Sequence, residues 1–125
     1  MDSNKAKEFE RRIQDIEERA AESLPEDALV IYSAYGQDAE GLPLDNLDQV
    51  AVEGRCIFMQ KNDPFFGKGK NYVSGEAISP TWLEVCRLAN DMIWIRGDQH
   101  HVFLEGIHVL REENGVKLVE FEMGS

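Results

Sequence analysis

The stretch Gln99-His100-His101-Val102-Phe103-Leu104-Glu105-Gly106-Ile107-His108-Val109-Leu110 decides the fold of this chain. It contains all three histidines of the protein, and its apolar residues occupy both sides of a two-residue alternation. The alternation predicts a long strand over residues 99–111 that is apolar on both faces. Such a strand must be covered on both faces, and the chain has few predicted helices. We therefore expect a second copy of the protein to cover one face.

Further strands are predicted before and after this segment. An Asn-Gly pair at 114–115 is typical of a two-residue hairpin turn, and residues 116–123 return as the partner strand. Residues 28–35, and part of residues 49–60, are rich in aliphatic and aromatic side chains, which predicts two more strands with two apolar faces. Between them, residues 36–48 predict a loop or a short helical turn because glycine and proline interrupt the pattern.

Residues 3–22 predict an N-terminal helix. Its apolar residues are spaced by four, three and four positions and form a narrow stripe on one helix face: Phe9, Ile13, Ile16 and Ala20. Leu24-Pro25 ends this helix. A stripe this narrow is typical of a seam between two helices. Two interpretations follow: the helix packs on the body of its own chain, or it forms a seam with another subunit.

A second, central helix is predicted to begin at Ser79-Pro80, where the serine is a candidate cap and the proline suits the first turn. The apolar residues that follow keep helical spacing: Trp82, Val85, Cys86, Ala89 and Met92. The end of this helix has two interpretations. Either it stops at Asp91 and residues 92–96 form a strand, or it continues to Ile95.

Together these elements predict an α+β fold in a single domain over residues 1–125. Its parts are an N-terminal helix, a mostly antiparallel sheet, one central helix and a C-terminal β-hairpin. The helical arm covers residues 1–23 and the mixed body covers residues 28–125. A chain of 125 residues is large enough to bury a core without disulfides or metal ions.

The chain carries a formal net charge of -11. An acidic surface repels nucleic-acid backbones and anionic membranes, so we expect no general nucleic-acid binding and no membrane association. The N-terminus has no apolar leader, and no apolar run is long enough for a bilayer. Cys56 and Cys86 lie in apolar patterns, which predicts buried free thiols in a reducing compartment. We expect a soluble protein of the cytoplasm.

Metal and catalytic motifs are weak in this chain. His101 and Glu105 share one face of the predicted strand but lie about 13 Å apart along an ideal strand, too far to hold one ion without other ligands. No serine stands in a nucleophile-elbow sequence, and neither cysteine has a histidine near it in sequence. We therefore expect no metal site, no cofactor and no catalytic residues, and thus a protein that is not an enzyme.

Residues 65–72 predict a flexible loop that is basic and aromatic in an otherwise acidic chain. The segment Gly67-Lys68-Gly69-Lys70 lacks the glycine spacing, the following Ser or Thr and the following helix of a phosphate-binding P-loop. Two interpretations remain. The loop is either a mobile lid that brings cations and aromatic rings to a ligand, or a solvated connection.

Few cations lie outside the N-terminal helix, so a small number of them would have to hold an anionic ligand. Arg55 and Arg111 each continue the alternation of a largely apolar strand, and the planar arginine fork suits phosphate. Trp82 could stack on a base, while Asn90 or Asp91 could contact its polar edge. Two alternatives stay open: Trp82 is a core residue, and the two arginines are strand ends that reach solvent.

Two segments, with Asn90-Asp91 between them, carry a resemblance to a known family. They are Ser79-Pro80-Thr81-Trp82-Leu83-Glu84-Val85-Cys86 and Gly97-Asp98-Gln99-His100-His101-Val102-Phe103-Leu104-Glu105-Gly106. Over roughly a third of the chain, they resemble the Thoeris anti-defence sponge family of bacteriophages. Members of that family assemble into homo-oligomers and trap cyclic nucleotide immune signals, such as glycocyclic ADP-ribose, without cleaving them.

The resemblance implies a function and a set of ligand contacts. By it, Trp82 stacks on the base, Asn90 or Asp91 contacts that base, and the arginines at 55 and 111 hold phosphates. Leu104, within the second segment, completes the candidate contacts. The chain would then sequester a cyclic nucleotide or cyclic ADP-ribose-type signal as a homo-oligomer in the host-cell cytoplasm. The alternative class is an acidic interaction module, an inhibitor or immunity-type protein that binds a basic partner.

Overall fold

The computed structural model describes residues 3–60, 71–97 and 99–125 of the chain. Helices and sheets in this part form the α+β fold expected from the sequence. In chain order the elements are α1 (Ser3–Glu22), β1 (Ile31–Tyr32), β2 (Gly36–Gln37), β3 (Pro43–Leu44), β4 (Arg55–Gln60), β5 (Tyr72–Ile78), α2 (Trp82–Arg96), β6 (Phe103–Glu113) and β7 (Val116–Gly124).

Helix α1 has the predicted bounds and packs against the body of its own chain. Ile16 and Ala20 of its apolar stripe are buried in the common core. Beside the stripe, Arg12 forms an ion pair with Asp38 at 2.7 Å, which ties the helix to the connection between β2 and β3. In this structure the narrow stripe therefore packs on the body of its own chain, which was the first of the two interpretations.

The strand predicted over residues 28–35 is shorter than expected. Only Ile31–Tyr32 pairs as β1, in parallel with β6. The backbone N–H groups of Leu29 and Val30 instead donate to the side-chain oxygen of Asn90, at 2.9 and 3.3 Å. A side chain of α2 thus satisfies the backbone donors that were expected to pair with a neighbouring strand.

Residues 36–48 contain a short antiparallel ladder, β2 with β3, where the sequence predicted a loop or a helical turn. Asp38 closes the connection between the two strands because its carboxylate accepts the N–H groups of Glu40 and Leu42, at 2.8 and 3.0 Å. An aspartate that bonds the backbone ahead of it is a common way to stabilise a tight connection. The predicted loop therefore describes most of this segment, but the prediction missed the two short strands.

The larger sheet has the strand order β1-β6-β7-β4-β5. β6 and β7 form the predicted C-terminal hairpin, and Asn114 and Gly115 make its turn with φ angles of 53° and 78°. β4 and β5 form a second antiparallel pair, whereas β1 with β6 and β4 with β7 are parallel. Most paired residues are therefore antiparallel, as predicted. β1 and β5 are the two edges.

Two bulges in β6 change which side chains share a face. The register shifts between Leu104 and Gly106 and again between Val109 and Arg111. Each shift inserts one residue that has no partner opposite it, so the following side chains change face. The uninterrupted alternation predicted over residues 99–111 is therefore wrong after the first bulge, and β6 also begins later than predicted.

Helix α2 follows the longer of its two interpretations and ends at Arg96. Gly97 caps it in a left-handed conformation, with a φ of 75° and an N–H bond to the Ile93 carbonyl at 2.8 Å. The alternative strand over residues 92–96 is wrong. The predicted serine cap is also wrong, because the cap is Thr81. Its hydroxyl accepts the N–H of Glu84 at 3.2 Å in a reciprocal capping box.

The core lies on one face of the larger sheet and is built by both helices. The strands contribute Cys56, Phe58, Tyr72, Leu104, Val119 and Phe121, and α2 contributes Val85, Cys86, Ala89, Met92 and Ile93. The opposite face, called the open face below, carries no member of this core within the described residues. Strand pairing places on it Arg55, Ile57, Met59, Val73, Glu76, Ile78, Phe103, Gly106, His108, Arg111, Leu118, Glu120 and Glu122.

Candidate functional site

A row of side chains crosses the open face near the β6–β7 turn. Arg111 of β6 lies opposite Leu118 of β7, and Leu118 lies beside Ile57 of β4. Ile57 in turn lies opposite Glu76 of β5. Arg55 precedes Ile57 by two positions and shares its face, one step nearer the turn. The row therefore places an apolar pair close to two arginines.

Arg55 forms a two-point ion pair with Glu76, with an Nε–Oε1 distance of 2.5 Å and an Nη2–Oε2 distance of 3.1 Å. This hydrogen bonding holds the pKa of Glu76 below its usual value. The two side chains are 53% and 39% exposed. Because water screens ion pairs this exposed, the pair stabilises the fold little. The Arg55 guanidinium can therefore exchange Glu76 for another anion at small cost.

Arg111 makes a similar exposed ion pair with Glu113, at 2.6 Å. Its strand is separated from that of Arg55 by β7 alone. Ideal strand spacings place the two arginine Cα atoms about 12 Å apart. Both side chains are long and rise from the same face, so their guanidinium groups can contact one ligand that lies across Leu118.

The surface around the two arginines is largely apolar. Ile78 and Val73 are 74% and 65% exposed, and three further apolar side chains on this face are half-buried: Ile57, Met59 and Leu118. The carboxylates of Glu120 and Glu122 lie farther from the turn. An apolar surface of this kind, with charges at its margin, is typical of a face that another molecule covers.

Trp82 lies in the first turn of α2, on the core side of the sheet. Its ring contacts the ring of Tyr32 edge-on, with centroids 6.3 Å apart and an interplanar angle of 63°. Trp82 is only half-buried, so part of the indole faces solvent. The structure therefore places Trp82 at the margin of the core, and not on the face that carries the two arginines.

Asn90 and Asp91 are neighbours on α2 with different surroundings. Asn90 is 3% exposed, and its side-chain oxygen is occupied by the two backbone donors of residues 29 and 30. Asp91 is exposed beside Tyr72, and its charge adds to burial in raising the pKa of the Tyr72 hydroxyl to about 12. Of the two, only Asp91 presents its polar atoms outward.

Leu104 is fully buried in the core, at 0% exposure. Six residues were predicted from the sequence as ligand contacts. The structure brings Arg55 and Arg111 to one end of the open face and leaves the other four on or behind the core side of the sheet. A single chain therefore does not assemble all six around one ligand.

The three histidines lie in or just before β6. His108 lies opposite Glu120 on the open face, while His100 and His101 precede β6. Over residues 3–60, 71–97 and 99–125, no group of three or more His, Cys, Asp or Glu residues is arranged to hold a metal ion.

Both cysteines are buried and unpaired. Burial raises the pKa of Cys86 to about 12, and it also raises the pKa of Cys56. A thiol must lose its proton to act as a nucleophile, so both side chains are unreactive near neutral pH.

A groove that the sequence analysis did not predict, called the α2–β5 groove below, lies between β5 and the C-terminal half of α2. It has a volume of about 520 Å³ and is lined by Pro25, Asp27, Tyr72, Val73, Ser74, Gly75, Leu88, Asn90, Asp91, Trp94 and Ile95. A signal for it existed in the sequence. Trp94 and Ile95 fall outside the core-facing stripe of α2, and they are 49% and 53% exposed.

The basic loop predicted at residues 65–72 falls largely outside the described residues. The segment Gly67-Lys68-Gly69-Lys70 lies outside the described residues, so the mobile lid and the solvated connection both stay predictions. Tyr72, at its end, is not a loop residue but the first residue of β5, with its ring buried against Phe121 at a centroid distance of 6.0 Å.

No helix in the described ranges is both long and apolar enough to cross a membrane. Comparisons with protein-family models, with curated proteins and with solved structures gave no match for this chain.

Proposed function

We propose that the protein sequesters a small phosphate-bearing ligand of the cyclic nucleotide or cyclic ADP-ribose class on its open face, without altering it chemically. The observation that supports this is the placement of Arg55 and Arg111 on one face, on either side of Leu118. Arginine binds phosphate through paired N–H donors, and two arginines at this spacing suit a ligand with more than one phosphate oxygen to hold.

The energetics of the two ion pairs favour exchange. Glu76 and Glu113 each compete for an arginine as single, solvent-exposed carboxylates. A phosphodiester or pyrophosphate offers more acceptor oxygens to both arginines at once, so it displaces the carboxylates while little folded-state stability is lost. The apolar side chains of Ile57 and Leu118 between the arginines offer a surface for a base or ribose.

We further propose that a second copy of the chain completes this site by covering the ligand. The open face carries both apolar and charged side chains and has no cover among the described residues, and a ligand on a flat face would stay exposed to water. Ligand sites usually bury most of the ligand in a concave pocket. A partner copy would supply the missing wall, and its half-exposed Trp82 is the candidate for stacking on the base.

Ligand release after binding tests the proposal directly. The purified protein is incubated with cyclic dinucleotides, cyclic trinucleotides and cyclic ADP-ribose isomers, freed of unbound ligand and heat-denatured. Mass spectrometry then identifies what is released. We expect one intact ligand. A chemically changed product would make the protein an enzyme, and the absence of any bound compound would refute nucleotide sequestration.

Matched arginine variants locate the site. Arg55→Ala and Arg111→Ala should each weaken binding by about tenfold or more, because a phosphate would lose a charged donor. Arg87→Ala, an exposed arginine on α2, serves as the control and should leave binding unchanged. An equal loss in all three variants would indicate general electrostatic attraction and would contradict a site on the open face.

Sedimentation tests the second copy. Ile57→Lys places a charge on the open face without disturbing the core, so it should convert an assembled protein to a monomer. Leu44→Lys is the control, because Leu44 is exposed away from that face. A wild-type protein that stays monomeric at high concentration, with and without ligand, would refute the shared site.

A further inference from the structure

The two edge strands of the sheet differ in length, since β1 (Ile31–Tyr32) has two residues and β5 (Tyr72–Ile78) has seven. A helix of the chain packs near each of them, α1 at β1 and α2 at β5. β5 pairs with β4 on one side and has no partner strand on its other side among the described residues. Exposed edge strands carry unpaired N–H and C=O groups and can accept another strand.

The α2–β5 groove runs beside this edge and surrounds it with apolar and negatively charged side chains. Trp94 and Ile95 of α2 expose large apolar side chains around it. Asp27 and Asp91 supply carboxylates, and no lysine or arginine stands among its described lining residues. The groove therefore combines an aromatic surface with negative charge, which suits an apolar segment that also carries cations.

Gly75 leaves the backbone of β5 accessible within this groove. A Cβ atom placed at this position would meet no atom within 4 Å beyond its chain neighbours, so there is open space over this face of the strand. A glycine within a strand is often found where another backbone approaches closely. The approach to β5 is therefore not obstructed by its own side chains at this point.

From this geometry we infer that the α2–β5 groove binds an extended, basic segment of another protein, which adds to the sheet beside β5. Its backbone pairs with the edge around Gly75, its apolar side chains pack on Trp94, and its lysine or arginine side chains reach Asp91. This site is separate from the open-face arginines and is independent of ligand sequestration.

Charge favours a basic partner over a second copy at this edge. Two copies joined along β5 would bring the Asp27 and Asp91 carboxylates of both grooves to one seam, where the described lining offers no lysine or arginine to offset them. A basic segment gains from the same field, both in the rate of encounter and in the contact with the groove carboxylates.

Amide chemical-shift mapping by NMR tests the inference. The full-length protein is titrated with a short capped peptide in which valine and lysine occupy every second position with threonine between them, so that both face the same side of an extended strand. We expect shift changes at the β5 amides and the Trp94 indole N–H. Two control peptides, one with glutamate in place of lysine and one with proline in place of valine, should produce none, because the first reverses the charge and the second cannot pair.

Variants separate the groove from nonspecific attraction. Trp94→Ala should weaken peptide binding by about tenfold. Gly75→Val fills the space beside the edge and should also weaken binding, while its melting temperature stays close to that of the wild type. Leu44→Ala should bind the peptide normally. Shift changes spread over the acidic surface, equal binding by Gly75→Val and wild type, or concentration-dependent shifts at β5 without peptide would each overturn the inference.

Discussion

The side-chain oxygen of Asn90 lies 2.9 Å from the backbone nitrogen of Leu29 and accepts its hydrogen bond. The same oxygen accepts the N–H of Val30, so one amide joins α2 to the chain just before β1. Asn90 is buried. Its side-chain oxygen therefore stabilises the fold, although the sequence analysis proposed Asn90 as a ligand contact.

We expect Asn90→Ala to lower the free energy of unfolding by about 1–3 kcal/mol, because it leaves buried backbone donors without a partner. Urea unfolding followed by circular dichroism measures this. Asp91→Ala is the matched control, since its side chain is exposed and the expected change is within about 0.5 kcal/mol. Equal stabilities for the two variants would contradict the structural role of Asn90.

Leu104 is a second residue that the sequence suggested as a ligand contact and that the structure places in the core. Its side chain is fully buried next to β1 and β7, so Leu104→Ala should cost about 2–5 kcal/mol of stability through lost burial and an internal cavity. The control is Leu110→Ala, because Leu110 lies in the second bulge of β6 and is 37% exposed. Thermal unfolding of both variants checks the difference. A melting temperature for Leu104→Ala equal to that of Leu110→Ala would be incompatible with this packing.

Local signals were sufficient for several elements. The turn at Asn114-Gly115 requires positive φ angles at both residues, and asparagine and glycine adopt such angles readily. This turn signal predicted the hairpin. The spacing of apolar residues predicted α1 with the bounds that the structure has. The capping box of Thr81 and Glu84 has a sequence signal of its own, a threonine followed three residues later by a glutamate, which the prediction of a Ser79 cap did not use.

Nonlocal contacts account for what the sequence could not show. The bulges in β6 depend on how β7 pairs with it, and they move side chains from one face to the other. The shortness of β1 depends on Asn90, which is distant in sequence. The shared face of Arg55 and Arg111 depends on the register of three strands. Alternation within each strand showed that each arginine continues a largely apolar strand, but not that the two share one face.

The cap of α2 gives a third prediction. Thr81→Ala removes the oxygen that accepts the Glu84 N–H, so we expect a loss of about 1 kcal/mol. Ser79→Gly should change stability less, because its φ of 43° is a conformation that glycine adopts without strain, which offsets the lost hydroxyl contact with Gly54. Chemical denaturation of both variants measures the order. A larger loss of stability for Ser79→Gly than for Thr81→Ala would mean that Ser79, and not Thr81, is the main cap of α2.

The buried thiol of Cys86 predicts how stability depends on pH on the alkaline side. Burial raises its pKa from 9.0 to about 12 in the folded protein. The unfolded chain therefore loses this proton first, and the contribution to stability is fully present below pH 9 and declines as the pH rises towards 12. The steepest expected slope from one such group is about 1.4 kcal/mol per pH unit.

Urea unfolding between about pH 8 and pH 10, in the presence of a reducing agent, measures this slope. Cys86→Ala is expected to be less stable at neutral pH because it leaves a cavity, but its stability should decline less over the same interval, since the titrating group is gone. Cys56→Ala tests the specificity of the effect, and its slope should stay closer to that of the wild type. A wild-type slope equal to that of Cys86→Ala would mean that the thiol is not buried as the structure has it.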